Sequence, residues 1–190
     1  MTAMTNIFFV DEDPLLCAEV LSDQHVRTQV AEVAAVLASS LVQKGVAAGP
    51  LLKGAGSPDS VARMCADDPA TTWANQHWDH FMWLVFFGMA LIEEHDRRFG
   101  FLHPGSSTVF AAGNVGTLLH GSEPHIPANW PTTKASSEYI DKYEFTSFNA
   151  YQNVLRDIYE SWAEGDHCAT WTNTYPPDWL SDVGEVRHTG

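Results

Sequence analysis

The sequence predicts an all-α fold in one compact domain, residues 1–190, and three observations carry that expectation. Val26, Val30, Val33, Leu37 and Leu41 recur at steps of three and four, the spacing that keeps side chains on one helix face. A longer apolar-rich stretch opens on Asp68-Pro69, a helix-start signal, and stops at Gly100, a helix-end signal. A third stripe, Phe148, Tyr151, Leu155, Ile158 and Trp162, repeats the helical period near the C-terminus. The expected architecture is two long amphipathic helices, a third C-terminal helix and a long loop rich in Gly, Pro and His.

Each element has its own local reason. Ile7 to Val10 is a short apolar, strand-like arm. Asp13-Pro14 combines a capping carboxylate with a first-turn proline, which starts a short helix reaching Leu21. Ser22-Asp23 offers a second start, so 13–44 forms the first helical region, ending at Lys44-Gly45. Gly49, Pro50, Gly54, Gly56 and Pro58 make the next stretch a loop. The central helix, 68–100, would hold about thirty residues and extend about 45 Å at about 1.5 Å per residue. Gly88 in its middle marks a bend or a close packing contact. Residues 101–137 read as the loop region, with room for a short helix between Thr108 and Leu119. The C-terminal helix covers 146–165, and the tail from Trp171 to Leu180 packs as an extended segment.

Composition bounds the function. A hydrophobic fraction of 45% excludes a disordered chain. Cys17, Cys65 and Cys168 lie far apart and are odd in number, which argues against a disulfide framework and for a reducing compartment. The start lacks the basic residues and long apolar run of a signal peptide, and Phe81 to Ile92 is too short to span a bilayer. A cytoplasmic protein with no membrane partner is expected. The net charge of −14, from 10 Lys plus Arg against 24 Asp plus Glu, removes the broad basic surface that nonspecific nucleic-acid binding needs. Any contact with nucleic acid must rest on a few local cations.

The candidate chemistry centres on Asp23, His25, Thr28 and Glu32, polar residues on a helix otherwise filled with Val, Ala and Leu. His25 and Glu32 are seven apart, two turns, and point the same way. A carboxylate in partly apolar surroundings can act as acid or base, although a solvated helix face has the same spacing. Glu93 and Glu94 sit near His95, but the Glu-x-x-His pattern of helical metal sites is missing, so neither metal nor cofactor is expected. Among seven tryptophans, most belong to a core; Trp73 and Trp83 are candidates for stacking on a base. His103, His120 and His125 form a candidate phosphate cluster in the loop region. No Walker or Gly-x-Gly-x-x-Gly loop occurs.

Two resemblances bear on these residues. Asn6-Ile7-Phe8-Phe9, Asp23-Gln24-His25-Val26 through Glu32, Asp68-Pro69 through Trp73-Ala74, Ala90 through Gly100 with His103, and the closing Trp171-Thr172 through Pro177-Asp178-Trp179 resemble a family of small tailed-phage proteins of unassigned function. In that pattern a lysine commonly falls where this chain has Thr28. More locally, Asp23-Gln24-His25-Val26 followed by Glu32 is similar to the first functional helix of phage pyrimidine-dimer DNA glycosylases of the endonuclease V type. This resemblance implies a compact all-α enzyme that attacks a sugar C1′ with the N-terminal amine of a threonine. Thr2 would carry that amine after removal of Met1, or Thr5 if translation starts at Met4. Glu32 matches the assisting glutamate. The glycosylases flank that glutamate with DNA-contacting arginines; Ala31 and Ala35 stand at those positions here.

The leading expectation is therefore an enzyme acting at an N-glycosidic bond of a nucleotide or of single-stranded or damaged nucleic acid. Glu32, His25 and Thr2 would be its catalytic residues. Asp23, Arg27, Trp73, Trp83, Glu93, Arg98 and His103 would line the substrate site. A second expectation is a nucleotide-sequestering protein without catalysis, with Arg97, Arg98 or Lys44 at the phosphates. A third is a structural or interaction protein, which calls for a large exposed apolar patch. A homo-oligomer is compatible with each.

Overall fold

In a computed structural model of the chain, the described residues are 7–46, 65, 67–121, 126–164, 167–180 and 187–189. The protein is mostly helical. In chain order the helices are α1 (Pro14–Glu19), α2 (Asp23–Gln43), α3 (Pro69–Gln76), α4 (Trp78–Phe99), α5 (Ser106–His120), α6 (Lys134–Tyr143) and α7 (Ser147–Glu164). Two three-residue strands, β1 (Thr170–Thr172) and β2 (Arg187–Thr189), pair in parallel with Thr170 opposite Arg187. A 3-10 turn, Asp178–Leu180, lies between them.

The helix starts follow from local side-chain chemistry. The Asp13 carboxylate accepts the Leu15 amide and Pro14 occupies the first turn, so α1 begins where its unpaired amides find a partner. Ser22 caps α2, and the Asp68 carboxylate with Pro69 repeats the α1 device for α3. Thr133 and Ser136 exchange side-chain and backbone bonds in a capping box at the start of α6. Gly100 ends α4 in the left-handed conformation, with φ of 78°, where a side chain would be strained.

The central helix differs from the expectation of one rod across 68–100. It is broken at His77, whose backbone is extended with φ of −144° and ψ of 151°. His80 supplies the reason. Its Nδ1 donates to the Trp73 carbonyl at 2.8 Å, taking the acceptor that a continuous helix would give to the backbone. The 22 residues of α4 therefore extend roughly 33 Å.

The 101–137 region also differs from a loop. It holds the 15 residues of α5 and the start of α6. Helix α5 contains two glycines, which disfavour a helix in isolation. Packing explains them: a Cβ on Gly113 would lie 2.9 Å from Met89, and one on Gly116 would lie 2.5 Å from Met82. The glycines let α5 settle directly onto α4.

The core gathers around α4, which contacts α1, α2, α3 and α5. Helix α2 is buried on nearly all sides in its second half, from Val36 to Leu41. The N-terminal arm, Ile7 to Val10, is buried throughout. Its Phe9 joins Trp73, Trp83, Trp130 and Tyr151 in an aromatic cluster with ring centroids 5.2–6.0 Å from the Phe9 ring. Helix α7 closes this side, where the Tyr151 hydroxyl donates to the Pro131 carbonyl.

Gly88 is a packing contact. An added Cβ would lie 2.9 Å from Val109 of α5 and 3.0 Å from Val33 of α2, and β-branched valines yield little at χ1. Gly88→Ala should therefore lower stability by roughly 1–3 kcal/mol through overpacking, despite alanine's better helix propensity. Urea unfolding checks this, and Val109→Ala in the same chain should restore most of the loss.

Candidate functional site

The face of α2 that carries His25, Gln29 and Glu32 meets the N-terminal arm. The Phe8 ring lies 4.9 Å from the His25 ring, and the Phe8 amide donates to the Gln29 side-chain oxygen at 3.5 Å. The arm is held from behind, since the Cys17 thiol donates to the Phe8 carbonyl and the Gln152 amide to the Val10 carbonyl. Ile7 and Phe9 border a small crevice with Asp68, Pro69 and Tyr151. One helical turn beyond Gln29, half-buried Glu32 comes close to Cys65. Burial first, then the carboxylates of Asp68 and Glu32, push the Cys65 thiol up to about 11. Thr2 and Thr5 lie outside the described residues, which begin at Ile7.

His25 is held in one state by its surroundings. Its ring lies among Phe8, Tyr159 and Trp162, and burial pushes its pKa down to about 4. Burial pushes the Tyr159 phenol up to about 12, so it stays protonated. Its hydroxyl accepts the Ser22 amide and pairs with His25 Nδ1 at 2.9 Å. A protonated phenol facing a neutral imidazole donates, which leaves the ring proton on Nε2. His25 is therefore a neutral, anchored group at neutral pH, suited to positioning rather than to proton transfer.

Asp23 and Arg98 come together as expected from neither residue alone. The Arg98 side chain is fully buried, and each of its three nitrogens donates to at least one oxygen. Nε and Nη2 reach Glu94 at 2.9 and 2.8 Å, and Nη2 also reaches the Glu19 carbonyl. Nη1 reaches the Leu21 carbonyl at 2.7 Å and Asp23 at 3.2 Å. The Asp23 carboxylate further accepts the Thr172 amide and the hydroxyls of Thr170 and Thr172, at 2.8–3.1 Å. Arg97 adds bonds to Glu94 and to the Asn173 carbonyl. These bonds join the α1–α2 corner, the end of α4 and β1. Of the residues expected to line a substrate site, Asp23 and Arg98 are both bonded within the fold.

The other expected residues are spread over the molecule. Trp73 is 2% exposed, stacked on His80 at 4.5 Å, and its indole N–H donates to Asn129. Trp83 donates its N–H to the Glu12 carbonyl and is sandwiched near Phe9 and Phe87. Both rings, expected to stack on a base, are buried in the core. Glu93 rims a separate groove of about 510 Å³, floored by Trp83, Phe86, Met89 and Ala90, with Glu12 and Asp13 as its other carboxylates. That charge disfavours a phosphate. Arg27 is exposed, with its guanidinium 4.1 Å over the Phe99 ring. His103 Nδ1 accepts the Gly105 amide just before α5, and burial lowers its pKa. His120 pairs with Asp79 at 2.8 Å, far from His103 in the chain, and His125 lies outside the described residues.

Sequence reasoning chose Glu93 where the structure uses Glu94, and it missed Tyr159, Thr170 and Thr172. Glu94 and Arg98, four apart on one helix, were the available signal. The exposed flank of α2 shows Arg27, Thr28 and Ala31, so Arg27 is its one cation among the described residues. Among those residues no group of three or more His, Cys, Asp or Glu is placed to hold a metal ion, and no helix is long and apolar enough to cross a membrane. Comparison with family models, with curated proteins and with solved structures finds no match to this chain.

His25 makes the site pH-dependent in a defined direction. In the unfolded chain it titrates near 6.5, and in the folded chain at about 4. The unfolded state takes up the proton first, so this stability is complete above about pH 6.5 and is lost as pH falls towards 4. The loss approaches roughly 3 kcal/mol at its limit. Urea midpoints should fall between pH 7 and 4.5, and His25→Gln should flatten that part of the profile.

Proposed function

We propose that this protein is a glycosylase-like enzyme acting at the N-glycosidic bond of a nucleotide or of a single-stranded nucleic acid, with Glu32 as its key carboxylate. The observation that supports this reading is the seating of Phe8 of the N-terminal arm on His25 and Gln29, one helical turn before Glu32 on α2. From Ile7 back to residue 2, the chain reaches roughly 16 Å when extended. Glu32 lies two turns, about 10 Å, from His25. The mechanism requires the N-terminal amine to meet that carboxylate, and this length of chain is compatible with it.

The chemistry follows from these groups. An α-amine has a pKa near 8, so a useful fraction is neutral at neutral pH. Its lone pair attacks the sugar C1′, the C1′–N bond to the base breaks, and the base leaves with that electron pair and takes up a proton. The amine nitrogen loses a proton to Glu32; the C1′–O4′ bond then opens, O4′ keeps that electron pair and takes the proton back from Glu32, and the nitrogen lone pair forms the iminium. The Glu32 carboxylate also faces the positive charge that builds on the sugar. His25, neutral and fixed by Tyr159, holds the arm in place. Ala31 and Ala35 leave α2 without the flanking cations that a duplex would call for, and the net charge of −14 points the same way. A small or single-stranded substrate suits this surface, which also avoids the cost of extruding a base from a duplex.

Borohydride trapping tests the reading. The protein would be incubated with abasic-site, damaged-pyrimidine and single-stranded oligonucleotides, and adducts located by mass spectrometry. An adduct on the N-terminal residue is expected, with trapping slowed roughly 10²–10⁴-fold in Glu32→Gln. Acetylating the N-terminus should abolish it. Absence of an adduct with every substrate would remove the amine mechanism.

A further inference from the structure

Helix α5 is unlike the surface around it. No Asp, Glu, Lys or Arg occurs from Phe101 to Gly121, in a chain whose net charge is −14. The inner side of α5, Val109, Ala112, Gly113 and Gly116, is buried against α4. The outer side carries exposed apolar side chains among the polar Ser107, Asn114 and Thr117. Phe110 is 42% exposed and Leu118 85%, and Leu119 is 58% exposed at the helix end. Phe101 and Leu102, which lead into the helix, are 59% and 58% exposed. Ser107, Ala111, Asn114 and Leu118 recur at steps of four, three and four, the spacing of a helix–helix seam. This reading is independent of the glycosylase chemistry.

We infer that the outer face of α5 docks a second copy of this chain, giving a two-fold symmetric dimer. Charge selects the occupant. A basic partner would be met by carboxylates, and this stretch has none. An anionic membrane would be met by cations, and it has none of those either. Two copies of an acidic protein repel wherever their carboxylates face each other, so they meet at least cost across the uncharged face. Area agrees. The five exposed Phe and Leu side chains present roughly 500 Å² per copy, so a symmetric pair covers roughly 1,000 Å², where specific interfaces begin. Asn114, in the middle of the seam, is the kind of isolated amide that fixes register and partner number. Docking α5 on α4 through glycine holds that face rigid before association.

Light scattering with size exclusion, at roughly 1–100 µM protein, reads the outcome. The mass of two chains is expected, and association should tighten with added salt as the repulsion between the acidic bodies is screened. Leu118→Glu places a carboxylate on the seam and should weaken association at least tenfold, with Phe110→Glu as a second variant. Both sites are solvent-exposed, and circular dichroism would confirm the fold. Leu15→Glu, at a site 59% exposed on the separate groove, should leave the dimer unchanged. A single-chain mass throughout, or a dimer that Leu118→Glu and Phe110→Glu leave intact, would overturn the inference.

Discussion

The buried Arg98 guanidinium is the interaction on which the fold depends most. It stands at the end of α4 and is bonded to Glu94, to Asp23 and to the carbonyls of Glu19 and Leu21. Asp23 then holds Thr170 and Thr172. Segments more than a hundred residues apart in sequence thus share one charge cluster. A buried charge is tolerated because all three guanidinium nitrogens are hydrogen-bonded and the cation touches two carboxylates. Removing one partner would leave the others desolvated and unpaired, a loss of roughly 3–5 kcal/mol. A pair of this kind contributes less to net stability than to defining one arrangement of its segments.

That arrangement sets the candidate site. Asp23 begins α2, so fixing Asp23 fixes the rotation of the helix that presents His25, Gln29 and Glu32. Tyr159 of α7 takes the Ser22 amide and His25 together, which ties the same helix start to the C-terminal helix. The arm is packed between this face and the aromatic cluster around Phe9. On the flank of α2 next to that face, Val33 meets Gly88 of α4. The helix is located by contacts on several sides, and the face of His25 and Gln29 is the one turned to the arm.

Much of the fold was legible in the sequence where the cause is local. Asp13-Pro14, Ser22-Asp23 and Gly100 mark helix ends because capping uses neighbouring residues. The break at His77 was hidden, because the His80 side chain takes the Trp73 carbonyl only once the two helices are folded together. Helix α5 was read mainly as loop because Gly113 and Gly116 lower helix propensity; the reason for them is Met82 and Met89, on another helix. Helix α6 was missed because its capping box uses Ser136 where Glu is usual. The spacing of His25 and Glu32 was readable from helix geometry alone. The partners of Asp23 and Arg98 were not, since they are set by long-range packing.

A double-mutant cycle between Asp23→Asn and Arg98→Met, read by urea unfolding, tests the central role of this cluster most directly. If the cluster acts as one unit, the double variant should be more stable than the sum of the single losses implies, by at least about 1 kcal/mol. Additive losses, within about 0.5 kcal/mol, would contradict it and make the cluster a set of independent contacts.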